Sequence, residues 1–189
     1  MSDLQIFDRQ VRHRSSDHLR AMSLLAAHNL YGPMIAVLRQ ELDSMVRVIF
    51  LLAQPSHIRT QLIADSVNGK KWKVGRQIVT DRNMVDLAQQ LQGWTASVYK
   101  FGCAFIHLSA LHDYNVRDLL QLLPAAERDD ILDHCRRYHG GPVLSNAGFM
   151  DLVRVKTLLV WSVRTRVRVA LMNLSELTRK KFGQIKFGA

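Results

Sequence analysis

The chain is poor in the residues that cross-link, break or anchor a fold. Its 189 residues include only two cysteines, Cys103 and Cys135, and these two make no metal-binding spacing. Four prolines and ten glycines are too few for a fibrous or low-complexity protein. No uninterrupted apolar run approaches the roughly 20 residues needed to cross a bilayer, and we expect no secretory signal. We therefore predict a cytoplasmic protein with reduced thiols, no membrane span, no metal site and no cofactor.

Apolar residues make up 48% of the chain and recur mostly at helical intervals. They predict an all-α single domain over 1–189, with a core over about 30–175 and a basic C-terminal tail over 176–189. We expect about six or seven helices. The segment from Gly93 to Asn115 is the densest in apolar and aromatic residues, which predicts that it forms the central helix of the bundle.

Start and stop signals divide the chain into helices. The predicted helices run over 3–30, from Pro33 to about Gln54, from a cap at Ser56 to about Val67, from a cap at Thr80 or Asp81, over 116–123, and from Pro124 to Gly140. A last and longest helix is predicted from a cap at Ser145 or Asn146. Between them, Trp72 and Val74 alternate against Ile78 across Gly75-Arg76, which predicts a small β-hairpin or an extended loop near 70–79.

Positive charge is unevenly distributed along the chain. The net charge is +10, of which residues 55–91 contribute +3 and residues 146–189 contribute +7. Such clusters attract polyanions, and a neighbouring aromatic ring would add base stacking. The predicted nucleic-acid-binding residues are Lys70, Lys71, Trp72, Lys73, Arg76, Arg164, Arg168, Arg179, Lys180 and Lys181. The alternative is a solvated loop and tail, with Trp72 packed onto the bundle.

A second candidate site combines two predicted helices. Glu41 lies at the margin of the apolar stripe of its helix, and with Arg39 it is predicted to face Tyr99 and His107. A buried carboxylate beside a histidine can act as a general base or orient one. The alternative, which we favour, is a structural polar contact between two core helices. Both interpretations predict that Glu41 and His107 lie close together.

Three sequence features resemble those of the HEPN-like superfamily of helical proteins over about residues 30–175. They are the charged LRQELDS stretch at 38–44, the YKFGCAFIHLS stretch at 99–109, and a basic final helix. The resemblance implies a homodimer and, for active members, metal-independent RNA cleavage by an Arg followed after four to six residues by His. Arg128 and His134 fit that spacing, as do Arg12 and His18, but chance placement predicts as many matches.

The sequence therefore favours a HEPN-like helical protein that binds RNA or another polyanion. A metal-independent endoribonuclease of the toxin or defence type is the first alternative, with Arg128, His134, Glu41 and His107 as its candidate catalytic residues. The second alternative is a protein-interaction scaffold without catalytic activity.

Overall fold

The computed structural model describes residues 1–142, 147–151, 169, 171–174 and 176. It is an all-α bundle with one small hairpin, as predicted. Helix α1 spans Asp3–Ala27 and begins with a reciprocal cap: the Ser2 hydroxyl accepts from the Gln5 backbone, and the Gln5 side chain accepts from the Ser2 backbone. No helix within the described residues is long and apolar enough to cross a membrane.

Helix α2, Tyr31–Ala53, is the central element of the described fold. Pro33 lies in its first turn, where the missing N–H requires no partner. It contacts α1 and the three helices that follow it in the chain, and most of its residues are buried. At its end, the Arg59 guanidinium donates to the carbonyls of Leu51, Leu52 and Gln54 at 2.9, 3.3 and 2.9 Å. These bonds satisfy carbonyls that a helix end leaves without partners.

Helix α3 spans Ser56–Val67. Its N-cap is Pro55, so the predicted cap at Ser56 is wrong by one residue. The predicted hairpin is confirmed: β1, Lys73–Val74, pairs antiparallel with β2, Gln77–Ile78. Gly75 has a φ of 60° at the first central position of the two-residue turn, where a side chain would be strained.

Helix α4, Asp81–Gln92, begins at the predicted Thr80 cap and ends at Gly93, whose φ is 76°. Helix α5 is short, Thr95–Cys103, so the predicted central helix through Asn115 is wrong. The Ser109 hydroxyl donates to the Ala104 carbonyl at 2.8 Å and accepts from the Leu111 N–H at 3.2 Å. A serine that bonds nearby backbone groups in this way favours a turn over a continued helix. Two short 3-10 helices follow, Ala110–Asp113 and Leu119–Leu122.

Helix α6, Ala125–His139, follows Pro124 and ends at Gly140, as the sequence predicts. Glu127 and Asp130 of α6 accept hydrogen bonds from Lys100 and Ser97 of α5, and these contacts join the two helices at their exposed edges. The predicted last helix and basic tail lie almost entirely outside the described residues.

Candidate nucleic-acid interface

Four cations project from the hairpin between α3 and α4. Lys70, Lys71, Lys73 and Arg76 are all exposed, and we call them together the basic hairpin. Among the residues that the structure describes, no carboxylate is within salt-bridge distance of any of the four. Their charge is therefore available to an anionic ligand.

Trp72 holds this segment against the helices. Its ring is 4% exposed and stacks on Phe50, with centroids 6.2 Å apart, while the Arg47 guanidinium lies 5.5 Å from the ring centroid. The Trp72 carbonyl also accepts from the Val79 N–H at 2.9 Å, which extends the hairpin pairing beyond β1. The prediction that Trp72 stacks on nucleic-acid bases is wrong, because a ring buried this deeply is not available to a base. The alternative, Trp72 packed onto the bundle, is confirmed.

The arginines behind the hairpin differ from it because carboxylates neutralise them. Arg47 bonds Asp43 at 3.0 Å and Asp81 at 3.3 Å, and Arg14 lies 3.8 Å from Asp43. Together, Arg14, Asp43 and Arg47 help to line a groove of about 300 Å³ between α1 and α2. Positive charge in this groove is locally compensated, so we assign it no part in anion binding.

Arg39 forms the core of a second network, which joins α2 to α5. It is 7% exposed, and it contacts side chains of α5. Its guanidinium carbon lies 3.3 Å from the centroid of the Tyr99 ring, and its Nε donates to Cys103 Sγ at 3.3 Å. The predicted approach of Arg39 to Tyr99 is therefore confirmed. Gly102 permits it, because a Cβ there would lie 2.7 Å from the Arg39 Cβ.

The Tyr99 hydroxyl donates to Asp81 Oδ2 at 3.1 Å. Burial raises the pKa of the Tyr99 phenol well above its ordinary value, and Arg39 opposes that shift while the Asp81 carboxylate adds to it. Tyr99 therefore stays protonated in the folded protein well beyond the ordinary range of a tyrosine, and its hydroxyl remains a hydrogen-bond donor.

Glu41 is fully buried, but its partners are on α1. Its two carboxylate oxygens contact Ser15 Oγ at 2.5 Å and His18 Nδ1 at 2.6 Å. His107 is exposed and lies beyond the end of α5. The predicted contact between Glu41 and His107 is therefore wrong. The pattern that identifies the true partners is local: Phe7, Val11, Ser15, His18 and Met22 recur at intervals of three and four on one side of α1.

The chemistry of this buried cluster is structural. In a hydrolytic triad, histidine takes the proton of the serine and the carboxylate orients the histidine. Here Ser15 and His18 both bond to Glu41, and neither activates the other. The geometry instead satisfies a carboxylate that has no exposure to water, as buried charges require. The favoured alternative for Glu41, a structural contact between two core helices, agrees with this arrangement.

Arg128 and His134 are not brought together within one chain. The imidazole of His134 is 4% exposed and stacks on Trp94, with ring centroids 4.2 Å apart. Arg128 donates to Gln121 Oε1 at 3.4 Å and lies 3.6 Å from Asp129. Six residues of helix place the two side chains on different sides of α6, about 9 Å apart along its axis.

The remaining predicted contacts, Arg164, Arg168, Arg179, Lys180 and Lys181, lie outside the described residues. In the part of the chain that the structure describes, no group of three histidine, cysteine, aspartate or glutamate side chains could hold a metal ion. His112, to which the sequence assigned no role, accepts from the Ser109 backbone at 3.2 Å and caps a 3-10 helix.

Comparisons with protein-family models, with curated proteins and with solved structures found no match. The resemblance to the HEPN-like superfamily therefore stays a prediction from the sequence.

Proposed function

We propose that this protein binds RNA or a similar polyanion, with the basic hairpin as its contact surface. The observation that carries the proposal is the set of four exposed cations without a carboxylate partner among the described residues. Exposed cations of this kind displace counterions from phosphates, which makes the binding favourable and sensitive to salt.

The fixed position of the basic hairpin supports the same proposal. Buried Trp72 and the Gly75 turn hold the segment, so its cations are presented together without the loss of backbone freedom that a disordered loop would incur on binding. Lys71 and Lys73 flank Trp72 and alternate with it, so they project away from the bundle.

The number of cations sets the expected salt dependence. If each of the four contacts one phosphate, the slope of log affinity against log salt is about −2.8 for a single strand and about −3.6 for a duplex. A slope of −3.6 corresponds to a loss of roughly 100-fold in affinity between 50 and 200 mM salt. The predicted tail cations would make the measured slope steeper, so the informative quantity is the difference between variants.

The test compares two variants that lose the same charge. The first replaces Lys70, Lys71, Lys73 and Arg76 with Gln. The second replaces four arginines that already have a carboxylate neighbour, namely the half-buried Arg12 and the exposed Arg82, Arg117 and Arg137. Fluorescence anisotropy with a labelled RNA is measured over a range of salt concentrations for both variants and the unchanged protein.

The hairpin variant is expected to lose affinity at low salt and to flatten the salt slope by about 3. The control variant is expected to lose much less affinity, because the arginines that it replaces are already paired with carboxylates in the free protein. Equal losses in the two variants would contradict the assignment of the surface. Absence of binding by the unchanged protein at low salt would contradict the function and favour a protein-interaction scaffold.

The described residues give the endoribonuclease alternative no comparable support. His134 is covered by Trp94, and Glu41 and His107 do not form a pair. RNA decay in the presence of a chelator, lost in His107→Ala or His134→Ala at unchanged stability, would restore that alternative.

We also expect the homodimer and the cytosolic location that the sequence predicts. A chain of 189 residues with only two cysteines is typical of a reducing compartment, where disulfides are rare. Three exposed apolar side chains on the segment after α5, Ile106, Leu108 and Val116, are the kind of surface that a second copy would cover. Light scattering during size-exclusion chromatography measures the oligomeric state directly.

A further inference from the structure

We infer that the basic hairpin prefers a double-stranded nucleic acid, which it holds by the phosphate backbone without base stacking. This inference rests on the proposed function and specifies its substrate class. Its basis is the burial of Trp72 against Phe50, the absence of an exposed aromatic side chain from the described residues, and the exposure of the four cations.

Proteins that bind single strands commonly combine a basic surface with aromatic rings on which bases stack. Each stacked base contributes about 1–3 kcal/mol, and a duplex cannot make that contact because its bases are already stacked. An exposed ring among the cations would therefore favour single strands. The sequence predicts such a ring at Trp72, and the structure buries it against Phe50.

No other ring in the described part of the chain replaces it. None of the phenylalanine, tyrosine and tryptophan side chains that the structure describes is exposed. Three rings are half-buried. Tyr99 lies under the Arg39 guanidinium and Tyr114 packs on Phe105 and Phe149, while Tyr31 lies at the end of α2 opposite Phe50 and donates its hydroxyl to Asn29. The side chains of Tyr138, Trp161, Phe182 and Phe187 are outside the described part of the chain. The basic hairpin thus has charge without a stacking platform.

Charge alone distinguishes the two forms of nucleic acid. A duplex carries about one phosphate per 1.7 Å of its axis, and each contact releases about 0.9 counterion against about 0.7 for a single strand. A flexible single strand also loses conformational freedom when it is bound, and stacking does not compensate for that loss here. The four cations therefore favour the duplex, and they do so independently of base sequence.

The experiment uses the full chain, a blunt RNA duplex, and each of its strands alone, all at equal phosphate concentration. Anisotropy gives the affinity and the salt slope for each ligand. The duplex is expected to bind several-fold more tightly than either strand, with a slope steeper by about 0.8 for four contacts. A second duplex of different sequence is expected to bind equally well, and the hairpin variant is expected to lose the duplex preference.

Trp72→Phe separates anchoring from stacking. Phenylalanine keeps an apolar anchor, so the variant is expected to retain the duplex preference and the affinity. Tighter binding of the single strands, or a loss of single-strand affinity in Trp72→Phe at unchanged stability, would overturn the inference and leave the proposed function intact. Failure of both duplex and strands to bind at low salt would overturn the proposed function itself.

Discussion

The buried contact between α1 and α2 predicts a large and non-additive loss of stability. His18→Leu removes one of the two donors to Glu41, whose side chain is fully buried. Removing one partner of a buried hydrogen-bonded group costs about 1–3 kcal/mol, because the carboxylate oxygen that His18 contacts is left without a partner. For a chain of this size, that corresponds to a fall in Tm of about 2–12 °C.

Glu41→Leu removes the group that both His18 and Ser15 contact. Each buried polar group that loses its partner is expected to lower the free energy of unfolding by about 1–3 kcal/mol. The double variant leaves only Ser15 without a partner, because two apolar side chains then face each other. Its cost is therefore smaller than the sum of the single costs, and we expect a coupling energy of at least about 2 kcal/mol.

The assay is urea unfolding of the four proteins in the double-mutant cycle, followed by circular dichroism at neutral pH. Arg82 and Asp86 on α4 give a matched cycle at an exposed pair, where the side chains are 89% and 60% exposed. No measurable coupling is expected there, since solvent screens the pair. The reasoning fails if His18→Leu costs less than about 1 kcal/mol, or if the losses at His18 and Glu41 simply add.

Three further predictions concern α5 and the hairpin. Gly102→Ala is expected to destabilise the protein by about 1–3 kcal/mol, because the new Cβ would lie 2.7 Å from the Arg39 Cβ; an unchanged urea midpoint would contradict that close approach. Trp72→Ala is expected to cost about 3–5 kcal/mol through the cavity it leaves, and Trp72→Phe clearly less, as measured by chemical unfolding. Because the pKa of Tyr99 is raised in the folded state, the folded protein keeps a proton that the unfolded chain loses above about pH 10. Stability is therefore expected to fall as pH rises through that range, less steeply in Tyr99→Phe, and phenolate absorbance is expected to show one tyrosine titrating late.

Local signals in the sequence were enough to predict most of the helices. Thr80 caps α4 and Pro124 precedes α6, because both residues act on backbone groups within a few positions. The hairpin follows from Gly75, whose positive φ suits a two-residue turn. These are short-range effects, so no knowledge of tertiary contacts is needed to predict them.

The helix predicted through Asn115 shows where that reasoning fails. The high apolar content of Gly93–Asn115 predicts that this segment is buried in the bundle. It does not distinguish one long helix from a short helix followed by turns. In the structure the helix ends at Cys103, and the Ser109 hydroxyl bonds the Ala104 carbonyl in the turn that follows. The central position belongs to α2, and this follows from which helices surround it rather than from its own composition.

The site residues were harder to predict because each depends on a partner far away in the chain. The sequence predicts Glu41 as a carboxylate at the margin of a buried face, but the partners that it predicts lie on α5, whereas the partners in the structure lie on α1. The residues around Ser15 and His18 are mostly polar, which in the sequence is typical of an exposed segment. Both residues nevertheless lie on the buried side of α1. Trp72 lies among lysines, and only the presence of Phe50 behind it determines that its ring turns inward.

The distribution of carboxylates explains why the positive surface is so localised. Asp81 accepts from Arg47 and Tyr99 and lies 3.9 Å from Arg39, while Asp43 serves Arg47 and Arg14. The arginines nearest the hairpin are thus held in intramolecular pairs, and an approaching phosphate would have to displace an existing carboxylate to reach them. The four hairpin cations have no such carboxylate partner among the residues described. Because four charges without stacking or base contacts give modest affinity, this surface suits sequence-independent binding that salt readily reverses.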